Sequence, residues 1–286
     1  MLPFISLGKT GLQVSRIAFG AGPVSNLLTT SADDPTDAQV ATIHRAVEQG
    51  INWFDTAATY ADGKSETILG RVFSQLKPTE PLHLATKARI APEETGNLRD
   101  TILRSVEGSL QRLRVSSVTL LQLHNSVTPK RGLLPTSLAL ADVLGPQGVL
   151  ETFLELKEQG VIRALGITGI GDAVLLKAIL ETKQFDTIQA PCHLLNPSTI
   201  RPIPPTLPDT DSGETLAHAF RLGLGTFAIR VLAGGALAGH PPSPHTHKTK
   251  FFPLDLYERD KVRTARLART LRIEGPLQEL ALRYIL

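Results

Sequence analysis

The feature that most constrains the fold of this chain is a repeated change of hydrophobic period along its 286 residues. Short apolar runs, typical of buried strands, alternate seven times with segments whose apolar residues recur at helical spacing. Nearly continuous apolar strands that alternate with helices predict an α/β fold built on a parallel sheet. Repeats of roughly thirty to forty residues favour a (β/α)8 TIM barrel over an open sheet.

The predicted elements begin with an N-terminal hairpin and end with two helices. The hairpin strands are predicted at 4–7 and 12–14, and the parallel strands at 16–19, 51–55, 81–87, 118–123, 161–167, 187–192 and 225–232. The helices are predicted at 37–49, 65–76, 98–113, 149–159, 172–182, 215–222, 256–272 and 277–286. A closed barrel needs an eighth strand and its helix. We therefore expect one barrel domain over residues 1–286 that lacks the last strand and helix and is short at its C-terminal end.

The composition excludes several classes of protein. Apolar residues make up 42% and charged residues 20%, as in a soluble globular protein with a sizeable core. The net charge of +3 arises from dispersed cations, so no nucleic-acid partner is expected. The single cysteine, Cys192, excludes an internal disulfide. The sequence shows neither a signal peptide nor an apolar run of about 18 residues, so we expect a cytoplasmic protein without a membrane partner.

Four polar residues follow the apolar runs of successive predicted strands. Asp55 ends the run that starts at Ile51, and Tyr60 follows it in the next loop, while Lys87 and His124 end the next two runs. Parallel strands of a barrel bring their carboxyl ends to one face, so these side chains are expected to converge there. Proton transfer to a carbonyl oxygen needs an acid, a cation to ease its ionisation, an anion to hold the cation and an orienting group. The pattern therefore predicts an enzyme.

These residues lie in motifs that resemble the aldo-keto reductase family. The matching stretches are FDTAATY at 54–60, Ser65–Glu66, ATK at 85–87 and LQLH at 121–124. The resemblance runs from the hairpin at 7–15 through 232–235 to 280–282, and thus covers nearly the whole chain. It implies a nicotinamide-dependent oxidoreductase that interconverts an aldehyde, ketone or aldose with the alcohol or lactone. The loop at 20–26 resembles the aldose dehydrogenase branch, which favours a sugar or other small carbonyl substrate.

The resemblance also implies a role for each of five residues. Tyr60 is expected to be the general acid in reduction and the general base in oxidation. Lys87 would stabilise the phenolate of Tyr60, and Asp55 would hold the ammonium group of Lys87. His124 would orient the substrate carbonyl by a hydrogen bond to its oxygen. Trp53, beside Asp55, is expected to offer an aromatic wall to the substrate.

The same resemblance assigns the nicotinamide carboxamide to two side chains. Thr168 falls where the family usually has a serine, and Gln189 matches the glutamine that binds the same group. Gly169 stands where an asparagine is usual, so one amide contact is lost. Ile229 occupies the position at which many members stack a tyrosine on the nicotinamide ring.

Three further residues are assigned to the cofactor after the seventh strand. Arg230, Leu232 and Gly234 are expected to approach it, Arg230 by charge and the glycine by close backbone contact. The family residues that grip the adenosine 2′-phosphate lie beyond the last predicted strand. NADP, with NAD as the alternative, is the cofactor that the resemblance implies, and the missing final strand and loop weigh most against NADP. His240, His245 and His247 lie in a proline-rich segment without Cys or carboxylate neighbours, and no metal site is expected.

Two other functions fit the residues less completely. A barrel aldolase would use Lys87 as a Schiff-base amine, but that chemistry gives Tyr60 and Asp55 no role. A catalytically impaired relic of the fold, binding a nucleotide or a partner, is favoured by the missing last strand and by the unusual Gly169 and Ile229. Retention of all four polar residues favours the oxidoreductase.

Overall fold

An antiparallel hairpin closes one end of a parallel sheet. The computed structural model describes residues 3–29, 34–76, 81–207, 209–244 and 254–286. The hairpin pairs β1 (Phe4–Ser6) with β2 (Gln13–Ser15) around a turn that is fixed by a hydrogen bond from the Thr10 hydroxyl to the Leu7 carbonyl. The predicted hairpin is thereby confirmed. His245 and His247 lie outside the described residues.

Seven parallel strands follow the hairpin, each paired with the next in the chain. They are β3 (Phe19–Gly20), β4 (Trp53–Asp55), β5 (His83–Ala88), β6 (Val118–Leu123), β7 (Ile162–Thr168), β8 (Thr187–Pro191) and β9 (Gly225–Ile229). Among the described residues β3 and β9 are the edges of this sheet, because no strand pairs with the free side of either.

The sheet is curled. Trp53 of β4 and Phe227 of β9 pack with ring centroids 4.9 Å apart, although five strand steps separate them in the sheet. In a flat sheet five steps span about 24 Å. Only a sheet that bends back on itself brings these two rings together, so the seven strands form a curled α/β half-barrel.

The described helices lie around the sheet, most of them on its outer face. They are α1 (Asp37–Glu48), α2 (Lys64–Phe73), α3 (Leu98–Leu113), α4 (Leu140–Leu144), α5 (Val149–Glu158), α6 (Ala173–Glu181), α7 (Thr215–Arg221), α8 (Leu254–Leu271) and α9 (Gln278–Ile285). Short 3-10 helices occupy Pro92–Glu94 and Ala233–Ala238. None of the described helices is long and apolar enough to cross a membrane.

Local signals explain where several helices begin. Thr36 and Gln39 form a reciprocal capping box at the start of α1, and the side chains of Asn97 and Asp172 accept backbone N–H groups at the starts of α3 and α6. These side chains satisfy N–H groups that have no partner inside the helix. The helices predicted from hydrophobic spacing begin within two residues of the observed ones.

The sheet and helices enclose distinct apolar clusters. The main core lies between the sheet and its helices and includes Phe54, Ile68 and Phe153. A second cluster fills the inside of the curl, where hairpin residues meet the inward-facing side chains of the strands; its members are Leu7, Leu12, Val14, Trp53, Ala85, Leu120 and Ala164, with Phe227 against them. This cluster forms a floor beneath the carboxyl ends of the strands.

The structure corrects three predicted elements. The first parallel strand was expected at 16–19 but is the short β3, Phe19–Gly20. The last was expected to reach Leu232 but ends at Ile229, because Arg230 has a positive φ of 56°. The helix α4 lies in a passage at 129–148 for which no helix was predicted, since five residues are too few to show helical spacing.

Candidate active site

The pleat of the strands places a set of polar side chains inside the curl. Successive residues of a strand point to opposite faces, so residues two apart share a face. Trp53 faces inward, and so therefore does Asp55 of the same strand. The register pairs Lys87 of β5 with Gln122 of β6, and both are buried. The polar level of the curl thus lies directly above its apolar floor.

Lys87 is the centre of this polar level. Only 1% of Lys87 is exposed, and its ammonium group forms an ion pair with Oδ1 of Asp55. It also donates to the carbonyl of Thr56 at 2.8 Å and to the hydroxyl of Tyr60 at 3.2 Å. The structure therefore brings together three of the four predicted catalytic residues through direct contacts.

The neighbours of Lys87 raise its pKa and so favour its charged form. Burial by itself lowers the pKa of a lysine, but the charges of Asp55 and Tyr60 and their hydrogen bonds outweigh that effect. The net pKa of Lys87 is raised above its usual value. This shift favours the charged form of Lys87 next to the Tyr60 hydroxyl.

The carboxylate of Asp55 is held by side chains from three other strands. Its Oδ2 accepts the side-chain amide of Gln122 at 3.0 Å and that of Gln189 at 3.1 Å. With Lys87 on Oδ1, both carboxylate oxygens are occupied. A carboxylate that accepts several hydrogen bonds has little freedom to rotate, so Asp55 fixes the position of the lysine.

The loop that carries Tyr60 is tied to the sheet on both sides. The hydroxyls of Thr56 and Ser65 are 2.8 Å apart, and Ser65 also donates to the carbonyl of Ala21 at 3.0 Å. A Cβ atom at Gly22 would lie 3.4 to 3.7 Å from the ring of Tyr60, so this glycine packs directly against it. The phenol is thus positioned by packing as well as by Lys87.

His124 completes the predicted set at the carboxyl end of β6. Its ring meets that of Tyr60 edge-on, with centroids 5.8 Å apart, and its Nδ1 lies 3.3 Å from the hydroxyl of Thr59. Burial, with the charges of Lys87 and Arg89, holds the pKa of His124 well below its usual value. A neutral imidazole that accepts the Thr59 hydroxyl at Nδ1 carries its proton on Nε2, from which it can donate.

The expectation for Trp53 is wrong. Trp53 is 1% exposed and lies in the apolar floor, between Phe227 and the ring of His83 at 5.7 Å. It shares the inward face with Asp55 but sits one level lower, because the two residues are two positions apart along β4. Its side chain supports the polar level from below and offers no wall to a substrate.

Two predicted cofactor residues lie at the next strand ends. The hydroxyl of Thr168, at the end of β7, is buried and has no hydrogen-bond partner among the described residues. Gln189 of β8 donates to Asp55 and is paired in register with Thr168. The adjacent hydroxyl and amide fit a carboxamide, which both donates and accepts. The unpartnered hydroxyl in particular fits a ligand that is absent from the structure.

The packing around Gly169 leaves little room for a side chain at this position, where the family usually has an asparagine. A Cβ atom there would lie 2.8 Å from Cδ1 of Ile188 and 2.9 Å from Cβ of Ala190, both closer than such atoms approach. A side chain at this position would therefore require Ile188 and Ala190 to shift. The backbone N–H of Gly169 donates instead to the carbonyl of Gln189 at 2.7 Å, which fixes the two strand ends relative to each other.

The remaining predicted cofactor residues follow β9. Arg230 is largely buried; that burial lowers its pKa, whereas the charge of Tyr60 raises it. Leu232 precedes the 3-10 helix Ala233–Ala238, in which Gly234 and Gly235 have φ angles of 66° and 105°. Such angles are accessible to glycine at little cost, so the backbone turns sharply here. The structure thus places Arg230 near the tyrosine and the glycines in a tight turn beside it.

Sequence reasoning missed three residues of the site. Gln122, Arg89 and Glu66 were not assigned, although the alternation of faces places Gln122 with His124 and Arg89 with Lys87. Glu66 of α2 is fully buried, accepts the hydroxyl of Thr86 and pairs with Arg112 of α3 at 2.8 Å. It ties the residue before Lys87 to two helices, and no spacing rule in the sequence indicated this.

Comparison with known proteins assigns the chain to a class. The sequence model of the Aldo/keto reductase family matches residues 16–286. L-galactose dehydrogenase of Arabidopsis thaliana is 30% identical over 243 residues, which cover 84% of this chain and 70% of that protein. 6-dehydroglucose reductase of Novosphingobium aromaticivorans is 31% identical over 260 residues, covering 86% and 73% respectively. The chain belongs to the aldo/keto reductase family.

A solved structure confirms the fold. The glycerol dehydrogenase of Gluconobacter oxydans superposes with a TM-score of 0.68 over 99% of this chain and 82% of that one, at 24% identity. This likeness confirms the predicted α/β class, and the family model confirms the resemblance to aldo-keto reductases. Family membership and the sugar-handling relatives support an oxidoreductase that acts on carbonyl compounds or sugars.

Proposed function

We propose that this protein is an NADP-dependent oxidoreductase that interconverts an aldehyde, ketone or aldose with the corresponding alcohol or lactone. The observation that carries the proposal is the Tyr60 hydroxyl, which lies 3.2 Å from the buried ammonium group of Lys87. A weak acid next to a fixed cation is suited to give a proton to an oxygen and to recover it. Relatives that act on galactose and dehydroglucose favour a sugar-like substrate.

The proposed mechanism assigns one task to each polar side chain. A reduced nicotinamide, when bound, supplies the hydride to the carbonyl carbon. His124 donates a hydrogen bond from Nε2 to the carbonyl oxygen and orients it. Tyr60 transfers its proton to that oxygen as negative charge develops there. Lys87 stabilises the phenolate that remains, and Asp55 keeps the lysine in place.

In the oxidative direction the same groups act in reverse. The phenolate of Tyr60, stabilised by Lys87, accepts the hydroxyl proton of the alcohol or of the sugar's anomeric carbon. His124 again holds the substrate oxygen. Because His124 is neutral, it positions the oxygen without competing with Tyr60 as a charged acid.

The cofactor site is proposed at the ends of β7, β8 and β9. Thr168 and Gln189 would hold the carboxamide, and Arg230, Leu232 and the turn at Gly234 would hold the pyrophosphate side. Ile229, at the end of β9, would press on the nicotinamide face. A relative from Escherichia coli, 28% identical over 250 residues, is named as an NADH-specific methylglyoxal reductase, so NAD is the alternative cofactor.

We also propose that residues 1–286 act as one barrel domain. A (β/α)8 barrel closes through a strand between the first and seventh strands, and here those are β3 and β9. Among the described residues no strand pairs with the free side of either. The eighth strand and helix of the family barrel belong there in the proposed architecture.

Two competing functions fit the arrangement of these residues less well. An aldolase needs a neutral lysine as nucleophile, and the raised pKa of Lys87 disfavours that chemistry. A relic that binds a nucleotide or a partner without turnover would show cofactor binding alone. The buried and fully hydrogen-bonded arrangement of Asp55 and Lys87 favours the enzyme.

The test is a cofactor titration followed by a turnover assay. NADPH and NADH are titrated separately into the protein, and nicotinamide fluorescence reports binding. Aldehydes and aldoses are then screened through the change in nicotinamide absorbance, in both directions. Binding with turnover supports the proposal. Binding without turnover by a folded protein supports the relic, and the absence of both overturns the nicotinamide assignment.

A further inference from the structure

Arg89 follows the last residue of β5 and lies two positions after Lys87. The two residues are two positions apart, so the pleat places them on the same inward face. Lys87 pairs in register with Gln122, which places Arg89 beside His124 at the carboxyl end of the curl. The backbone confirms the alignment, because the N–H of His124 donates to the carbonyl of Ala88 at 2.8 Å.

The position of Arg89 is fixed by the loop that follows β6. Its Nε donates to the hydroxyl of Thr136 at 3.2 Å. The carbonyl of Thr136 accepts the side-chain amide of Asn125 at 2.6 Å, and Asn125 also bonds both backbone groups of Ile90. The residues on either side of Arg89 are thus clamped to the next strand, and its guanidinium has a defined place.

The guanidinium lacks a counter-ion in the part of the chain that the structure describes. Among the described residues the guanidinium makes one hydrogen bond, to Thr136, which uses only Nε, and it also interacts electrostatically with Tyr60. Asp55, the carboxylate of the candidate catalytic set, has both oxygens taken by Lys87 and the glutamine amides. A half-buried cation of this kind is costly unless an anion joins it. The outer nitrogens of Arg89 remain available to one.

The location of Arg89 assigns it to the substrate side. The proposed cofactor residues lie on β7 and β8 or follow β9, whereas Arg89 follows β5 and is held by the loop after β6. His124 and Tyr60, the two groups proposed to contact the carbonyl oxygen, both interact electrostatically with Arg89. An anion bound by Arg89 would therefore belong to the same molecule as the carbonyl.

We infer that Arg89 is a specificity-determining residue that selects carbonyl substrates bearing a carboxylate. The inference rests on the proposed function and names a substrate class for that site. The two outer nitrogens of one guanidinium form a planar fork that matches the two oxygens of a single carboxylate. Recognition of the carboxylate by Arg89 and of the carbonyl by His124 would fix the substrate at two points.

The test compares two aldehydes of equal length. Succinic semialdehyde carries a carboxylate, and butanal does not. We expect the wild-type kcat/KM to favour succinic semialdehyde, and Arg89→Met to lower the ratio of the two kcat/KM values by about 10- to 100-fold. Arg89→Lys keeps the charge without the fork and should retain part of the ratio. Arg45→Met, which removes an exposed arginine of α1, should leave the ratio unchanged.

Each other outcome overturns a specific claim. Equal wild-type efficiency with both aldehydes, or an equal loss with both in Arg89→Met, overturns the specificity role while the proposed oxidoreductase stands. Weaker NADPH binding in Arg89→Met at an unchanged substrate ratio assigns the guanidinium to the cofactor and also overturns it. If the wild-type protein turns over no carbonyl compound, the proposed function fails and this inference fails with it.

Discussion

The side-chain amide of Gln189 donates to Oδ2 of Asp55 at 3.1 Å, although 134 residues separate them in the sequence. The contact joins a proposed cofactor residue to the proposed catalytic set across the inside of the curl. Gln122 donates to the same oxygen at 3.0 Å. The two glutamines therefore make the same contact with Asp55, but only Gln189 is also a proposed cofactor residue. Gln122 can serve as the control for Gln189.

Replacing each glutamine by methionine should separate the two tasks. Gln189→Met should weaken cofactor binding by about 3- to 10-fold, because one neutral hydrogen bond to the carboxamide is lost. Gln122→Met removes an equivalent bond to Asp55 but should leave cofactor affinity unchanged. The measurement is the Kd of NADPH or NADH from nicotinamide fluorescence. Equal weakening by both substitutions would show that Gln189 acts only through Asp55.

Removal of the Tyr60 hydroxyl should abolish most of the turnover without loss of the cofactor. Tyr60→Phe is expected to lower kcat by about 10²- to 10⁴-fold, the range for loss of a general acid. The Kd of the cofactor should change less than about 2-fold, since the ring remains in place. Tyr284→Phe, on α9, serves as the control. Parallel loss of turnover and cofactor affinity would contradict the role given to Tyr60.

The buried ion pair of Lys87 and Asp55 should show strong coupling in stability. Either Asp55→Leu or Lys87→Met leaves one charge buried without its partner, and each should cost about 3–5 kcal/mol. The double variant should be more stable than the sum of the single effects predicts, because no lone charge remains. Urea unfolding measures the three free energies. Additive losses would argue against the pair, and all three variants should lack turnover.

His193 should make the fold sensitive to acid. Burial, which outweighs the nearby Asp209, lowers the pKa of His193 from 6.5 to about 4, with Arg263 among the contributing cations. As the pH falls below 6.5 the unfolded chain gains a proton that the folded chain does not, so stability is lost toward pH 4. Between pH 7.5 and 5 this amounts to about 2 kcal/mol.

The matched variant for this effect is His193→Gln, which carries no titrating group. Urea unfolding at pH 7.5 and 5 should show a loss of stability that is smaller in the variant by about 2 kcal/mol. His83 and His124 also have lowered pKa values, but their contribution to the pH dependence of stability is the same in the wild-type protein and in His193→Gln. An identical pH dependence in the two proteins would show that burial does not lower the pKa of His193.

The candidate catalytic set was predictable because its geometry is local to each strand. Asp55, Lys87 and His124 each end an apolar run, and the carboxyl ends of parallel strands meet at one face whatever the details of the packing. Only the order of the strands was needed to expect their convergence. The structure confirms that Asp55, Tyr60 and Lys87 are in direct contact.

The curl of the sheet decided what the sequence left open. Trp53 stands two positions before Asp55 in the sequence, but Phe227, 174 positions after Trp53, and the hairpin enclose it in the apolar floor. The same closure brings Gln189 onto Asp55 and leaves Arg89 without a carboxylate partner among the described residues. Hydrophobic period determines which residues form strands and where they end. The level at which a side chain lies inside the curl, and what it meets there, depends on strands distant in sequence.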